Sequence, residues 1–305
     1  MEEDFRAVGR RVRSWGRWGR DDERGTVNLL TTDHVVRAAG LIRSGRVFEL
    51  GIAIDAATPQ PGGLRTRPMV LMAETGEGQD FPGGFHYADD YVFMALQAAT
   101  QWDALAHVYY DDQLYNGFAA SSVSPHGARH CGIDRLGPGP VGRGVLLDLP
   151  RSRDVDWLDA GQTVSPDDLD RAVARQGIEV VGGDIVLVRT GWRRRFLTEG
   201  PTREVMTKEA GLGMACADWL RDHEVAALGC DNWGVEVVPP EVRGTMLPLH
   251  LVLIRDLGLS IGEMFDLEAL ADDCAADGRF EFFFCGQALK FTGGAGSPIN
   301  PLAIK

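Results

Sequence analysis

The sequence predicts an α/β fold: one domain over residues 1–305, with a mixed sheet and a long irregular N-terminal arm over residues 1–30. Three observations carry this. Short apolar runs that suit strands buried on both faces recur at 141–149, 184–190 and 225–231. Segments with helix start signals alternate with them, and no linker-like break interrupts the second half. The first thirty residues are rich in Arg, Trp and Gly, as in Trp15-Gly16-Arg17-Trp18-Gly19-Arg20, and read as an irregular arm.

Taken in order, Thr32-Asp33-His34 offers a helix N-cap, and the helix is expected to run to about Ser44. Residues 46–54 alternate apolar with polar and predict a strand. Residues 57–86 are rich in Gly and Pro and predict a long loop, a feature that is often functional inside compact domains. A strand over 91–97 leads into Gln101-Trp102-Asp103-Ala104-Leu105-Ala106-His107. Ser165-Pro166 starts a helix that reaches about Gln176, with Ser165 as cap and Pro166 in the first turn. Helices are predicted over 214–223, over 247–257 carrying His250, and over 267–276; a closing strand spans 280–285. Gly293-Gly294-Ala295-Gly296-Ser297-Pro298 follows that strand and predicts a tight backbone turn rather than a phosphate cradle.

The 305 residues are 44% hydrophobic and 25% charged, ordinary globular values, and are numerous enough for a large core. The net charge of -13 disfavours partners with phosphate backbones or anionic lipid, so a small-molecule substrate is expected rather than nucleic acid or membrane. The five cysteines are odd in number and form no C-x-x-C pair, which argues for free thiols in a reducing compartment. The charged start lacks the apolar core of a signal peptide, and no apolar run approaches the roughly 20 residues of a membrane span. A cytoplasmic location is the expectation.

Two pairs of residues suggest chemistry. Asp103 and His107 lie four apart, so on a helix, or on a turn after a strand, an oxygen and a nitrogen ligand could converge on Zn or Mn. The same spacing suits a capping Asp and a core His. His250 and Glu263 each sit among apolar residues, where a charged group needs a partner, a proton or a metal. A buried neutral His and a capping Glu are the plainer alternatives. His126 and His130 also lie four apart, in a turn-to-helix stretch. No G-x-G-x-x-G follows a predicted strand, and the Walker and H-E-x-x-H motifs are absent.

The run from Gln97 to His107 resembles the H-x-G-T-H-x-D-x-P-x-H hallmark of the cyclase family that includes bacterial kynurenine formamidase, isatin hydrolase and trans-dienelactone hydrolase. Thr100, Asp103 and His107 match; Gln97 and Gln101 replace histidines and Leu105 the proline, as in a T-Q-W-D-A-L-x-H subgroup. The stretches 18–29, 141–148, 183–192 and 293–301 are similar as well, and His250 and Glu263 match a His and a Glu near the metal of formamidase-like members.

This resemblance implies a swivelling β/β/α fold, a homodimer or homotetramer, and a divalent metal, Zn or Mn. With two imidazoles replaced by amides, it implies one ion held by Asp103, His107 and Glu263, with Gln101 or His250 adjacent. The implied activity is hydrolysis of an amide or lactone by metal-activated water, with His250 as general acid or base. Trp102, His86, Tyr91 and Gln97 are candidates for contact with substrate, as are Phe85 and Tyr87, although the aromatic residues equally suit a core. The loop over 57–86 and the N-terminal arm are expected to shape the pocket, with a subunit interface as one setting for it. Two alternatives stay open: cyclisation or isomerisation of a polyketide-like or lactone substrate, and ligand binding without catalysis.

Overall fold

A computed structural model describes residues 4–63 and 65–305. Its centre is a nine-stranded mixed sheet, as the apolar runs predict. From edge to edge the strands are Val47–Glu49, Leu302–Ile304, Glu281–Cys285, Val141–Asp148, Ile185–Arg189, Ala227–Cys230, Ser260–Glu263, Gln101–Asp103 and Gly296–Pro298. The four from Val141–Asp148 to Ser260–Glu263 run parallel, and every other pairing is antiparallel.

The parallel strands are apolar over most of their length because both faces are covered. Val145, Leu147, Val186, Val188, Leu228 and Ile261 point into one core, while Leu146, Ile185, Leu187 and Ala227 point into the other. Helix Pro166–Gln176 is one of the crossovers. It starts with a capping box between Ser165 and Asp168 and stops at Gly177 in the left-handed conformation, at φ 64°. No helix among the described residues is long and apolar enough to cross a membrane.

Several elements differ from expectation. Within the N-terminal arm, Phe5–Val12 forms a helix whose Phe5, Val8 and Val12 are buried. These recur at helical spacing, a signal that the surrounding arginines mask. The helix from Thr32 ends at Ala39, before Gly40, rather than near Ser44. The strand expected over 46–54 is only Val47–Glu49. The 57–86 stretch is not all loop: Met69–Glu74 pairs antiparallel with Asp89–Phe93, and a turn region over 94–100 replaces the end of the strand expected over 91–97. The Gly-rich tail forms the edge strand Gly296–Pro298. Residues 248–257 begin as an α-helical turn, Pro248–His250, and continue as a π-helix, Leu251–Leu257. Such i→i+5 segments occur disproportionately at functional sites.

Candidate metal centre

The centre lies where the parallel strands give way to antiparallel ones, at the carboxyl end of Ser260–Glu263. Side chains alternate along Gln101–Asp103, so Gln101 and Asp103 share one face and Trp102 takes the other. Pairing sets Glu263 opposite Gln101, and Gln101 Nε2 donates to Glu263 Oε2 at 2.6 Å. On the other side Gly296 stands opposite Asp103; a Cβ there would lie 2.6 Å from Gln97 Nε2, so glycine makes room for the Gln97 side chain.

His250 arrives from the turn before the π-helix. Its Nε2 lies 3.0 Å from Glu263 Oε1 and its Nδ1 3.1 Å from Glu236 Oε1. Glu236 also accepts the backbone N–H of His250 at 2.8 Å and of Leu249 at 3.1 Å, so one carboxylate caps the turn and orients the imidazole. Potential ligand atoms of Asp103, His250 and Glu263 all lie within 4.8 Å of one another. His107 follows a tight turn, with its N–H on Ala104 O at 2.9 Å. Its Nε2 is 3.9 Å from Asp103 Oδ1, and its side chain is 22% exposed where that of Asp103 is fully buried.

The electrostatics fit a cation. Burial raises the Asp103 carboxyl to about 6, against the attraction of His107. Burial would lower His250, but hydrogen bonds to Glu236 and Glu263 outweigh it and raise the imidazole to about 10. Glu209, buried within electrostatic reach of Glu263 and His250, is pushed well up by burial, although Trp233 N–H donates to its Oε2 at 2.8 Å. Both Asp103 oxygens and Gln101 Oε1 are buried without a hydrogen-bond partner. Unpaired buried acceptors are costly, and a divalent ion among two carboxylates, an imidazole and an amide oxygen would satisfy them.

Not every predicted residue comes here. Trp102 is a core residue: its ring meets Phe265 and Phe284 edge-on at 5.4 and 6.3 Å, and its Nε1 donates to Gly286 O. The pleat that delivers Asp103 to the centre turns Trp102 away from it. His86 and Tyr91 are exposed on the hairpin of Met69–Glu74 and Asp89–Phe93, with His86 Nδ1 3.2 Å from Gly76 O. Gln97 is at the rim, where Arg65 Nη1 donates to its carbonyl at 2.8 Å. His126 is exposed, whereas His130 stacks on Phe118 and meets Glu23, so they form no ligand pair. Sequence reasoning missed Glu209 and Glu236. The latter sits in Val235-Glu236-Val237, where one carboxylate between valines looks like the outward residue of a strand.

The model of the "Putative cyclase" family matches residues 48–237. The chain belongs to this cyclase family. A crystal structure described as a novel cyclase superposes with a TM-score of 0.91 at 37% identity, over 97% of this chain and 99% of that one. The cyclase-family fold is shared by isatin hydrolase A from Ralstonia solanacearum, with a TM-score of 0.64 at 18% identity over 90% and 98% of the two chains. It is shared too by a structure described as a potential metal-dependent hydrolase with cyclase activity, at 0.54 and 17% over 85% and 98%. Among functionally curated proteins, none matches the sequence.

Proposed function

We propose that this cyclase-family chain is a metal-dependent hydrolase that adds water across the carbonyl of an amide or lactone, using one divalent ion, Zn or Mn. The observation that carries this is the convergence of Asp103, His250 and Glu263 around two buried Asp103 oxygens that have no hydrogen-bond partner. The hydrolase names of the structural neighbours point the same way.

Asp103, Glu263 and His250 Nε2 would hold the ion, with Gln101 Oε1 as the nearest further oxygen. When bound, such an ion polarises a carbonyl and lowers the pKa of water from about 15.7 towards about 7 in the best zinc sites. Glu236 keeps the His250 ring turned inward. His250 was the expected proton carrier, but both its nitrogens face carboxylates and it is buried, so we assign it a ligand's role. His107 takes the proton-transfer role: partly exposed beside Asp103, it can remove a proton from water at Nε2 and return it to the leaving nitrogen or oxygen.

The test is elemental analysis of the purified protein together with turnover of cyclic amides and lactones, starting with isatin, in heavy-oxygen water. We expect stoichiometric metal that Asp103→Asn loses, activity that chelator removes and Zn or Mn restores, and labelled acid product. Full activity after metal removal would overturn the reading. Unlabelled cyclised product would replace hydrolysis with cyclisation, and a metal-free inert chain would leave ligand binding.

A further inference from the structure

Both histidines of the centre lead into one buried cluster outside it. His250 heads the π-helix Leu251–Leu257, and Asp256 lies near that helix's far end. Tyr110 follows His107 by three residues, and its hydroxyl donates to Asp256 Oδ2 at 2.5 Å. Asp256 is fully buried, and its Oδ1 accepts from Arg13 Nη2 and Arg255 Nη1, each at 2.8 Å. The Tyr110 ring is held as well as its hydroxyl. The Arg255 guanidinium lies 3.9 Å from the ring centroid, and Phe5 meets the ring edge-on at 5.2 Å.

The N-terminal arm closes over this pair. Gly9 sits against it: a Cβ there would run into Asp256 Oδ2 and lie 2.8 Å from Tyr110 Oη. Ser14 N–H donates to Asp256 O at 3.1 Å, and Trp15 Nε1 donates to Arg255 O at 2.7 Å. A buried ionic network of this kind is a weak source of stability, since well-packed apolar side chains often do as well. What it supplies is a single geometry in which its donors and acceptors are met. That geometry ties the segment after His107 to the helix after His250. Upstream, the same segment is held by the N–H groups of Ala104, Ala106 and His107, on Ala295 O, Cys131 O and Ala104 O. His107 therefore sits in a short span anchored at both ends, by the strand of Asp103 on one side and by Tyr110 on the other.

We propose that Tyr110 and Asp256 are positioning residues for His107. Their hydrogen bond sets where the imidazole stands relative to Asp103, His250 and Glu263, by fixing its span to the helix that carries His250. The proposal rests on the proton-transfer role assigned to His107 in the hydrolase reading.

Tyr110→Phe tests it, because it removes the hydroxyl and keeps the ring. The variant should retain the wild-type metal content and KM and lose on the order of 10²-fold in kcat, the scale on which misplacing a group by about 1 Å acts. In a His107→Asn background the same change should cost nothing further, because Tyr110 acts through His107. An equal loss in both backgrounds, a loss of metal, or a lower Tm with kcat per folded chain unchanged would each overturn the proposal. Hydrogen exchange reads the positioning without turnover: the Ala106 and His107 amides should exchange faster in Tyr110→Phe at an unchanged Tm, and unaltered exchange there would overturn it too. If the wild type turns over none of the amides and lactones offered, the hydrolase reading fails, and exchange alone decides whether the Tyr110–Asp256 bond fixes this span.

Discussion

At the scale of residues, the two histidines near Asp103 divide the work by environment. His250 has a carboxylate on each ring nitrogen and is buried, whereas His107 is partly open and approaches Asp103 at 3.9 Å. Removing His107 should therefore leave the ligands intact. His107→Asn is expected to keep its full metal content and lose about 10²–10⁴-fold in kcat, the usual worth of a positioned acid–base group. Loss of metal in this variant, measured by elemental analysis, would return His107 to the ligand set that the family resemblance implied. The proposed ligand residues were legible in part: His250 and Glu263 stand among apolar neighbours in sequence that offer a charge no ordinary partner. The 101–107 spacing could not say whether His107 or His250 joins Asp103, because that depends on a turn and on a distant segment.

At the scale of elements, the readable ones are those whose local signals agree with their packing. Helix Pro166–Gln176 has its cap, its proline and its terminal glycine in sequence, and the structure uses all three. Its cap also gives the stability a pH dependence. Burial alone would raise Asp168, but the Ser165 N–H and hydroxyl, with Arg153 and Arg171, outweigh it and hold the carboxyl at about 2. A carboxylate depressed on folding stabilises the native state above its unfolded value near 3.9, and that contribution fades as pH falls through about 2. Asp168→Asn should cost about 1 kcal/mol at neutral pH, and its difference from wild type in urea titrations should shrink between about pH 4 and pH 2. An unchanged difference at low pH would mean that the cap acts through shape alone. The elements missed have no such local agreement. Met69–Glu74 does not alternate because both its faces are apolar, and a π-helix leaves no period that a search for amphipathic α-helices would find.

At the scale of the whole molecule, the candidate centre ties together parts far apart in the chain. Asp103, Glu263 and His250 come from two antiparallel strands and from the head of a π-helix on which the N-terminal helix packs. Ion binding should therefore report on global stability as well as on activity. At about 100 times its Kd, a ligand specific to the folded state contributes roughly 2.7 kcal/mol. For a chain of this size that shifts Tm on the order of 5 °C. Chelator should lower the melting temperature by this order, and Zn or Mn should restore it. Without the ion, the same cluster is a liability, because Asp103 carries two buried acceptors with nothing to accept. Asp103→Asn should then melt at or above the metal-free wild type and gain nothing from added metal, a variant stabilised by the loss of its function. Scanning calorimetry of both proteins, with and without chelator, measures all four values. If metal-free Asp103→Asn melts well below metal-free wild type, the Asp103 carboxylate is satisfied from within the protein, and the argument for an ion at this place fails.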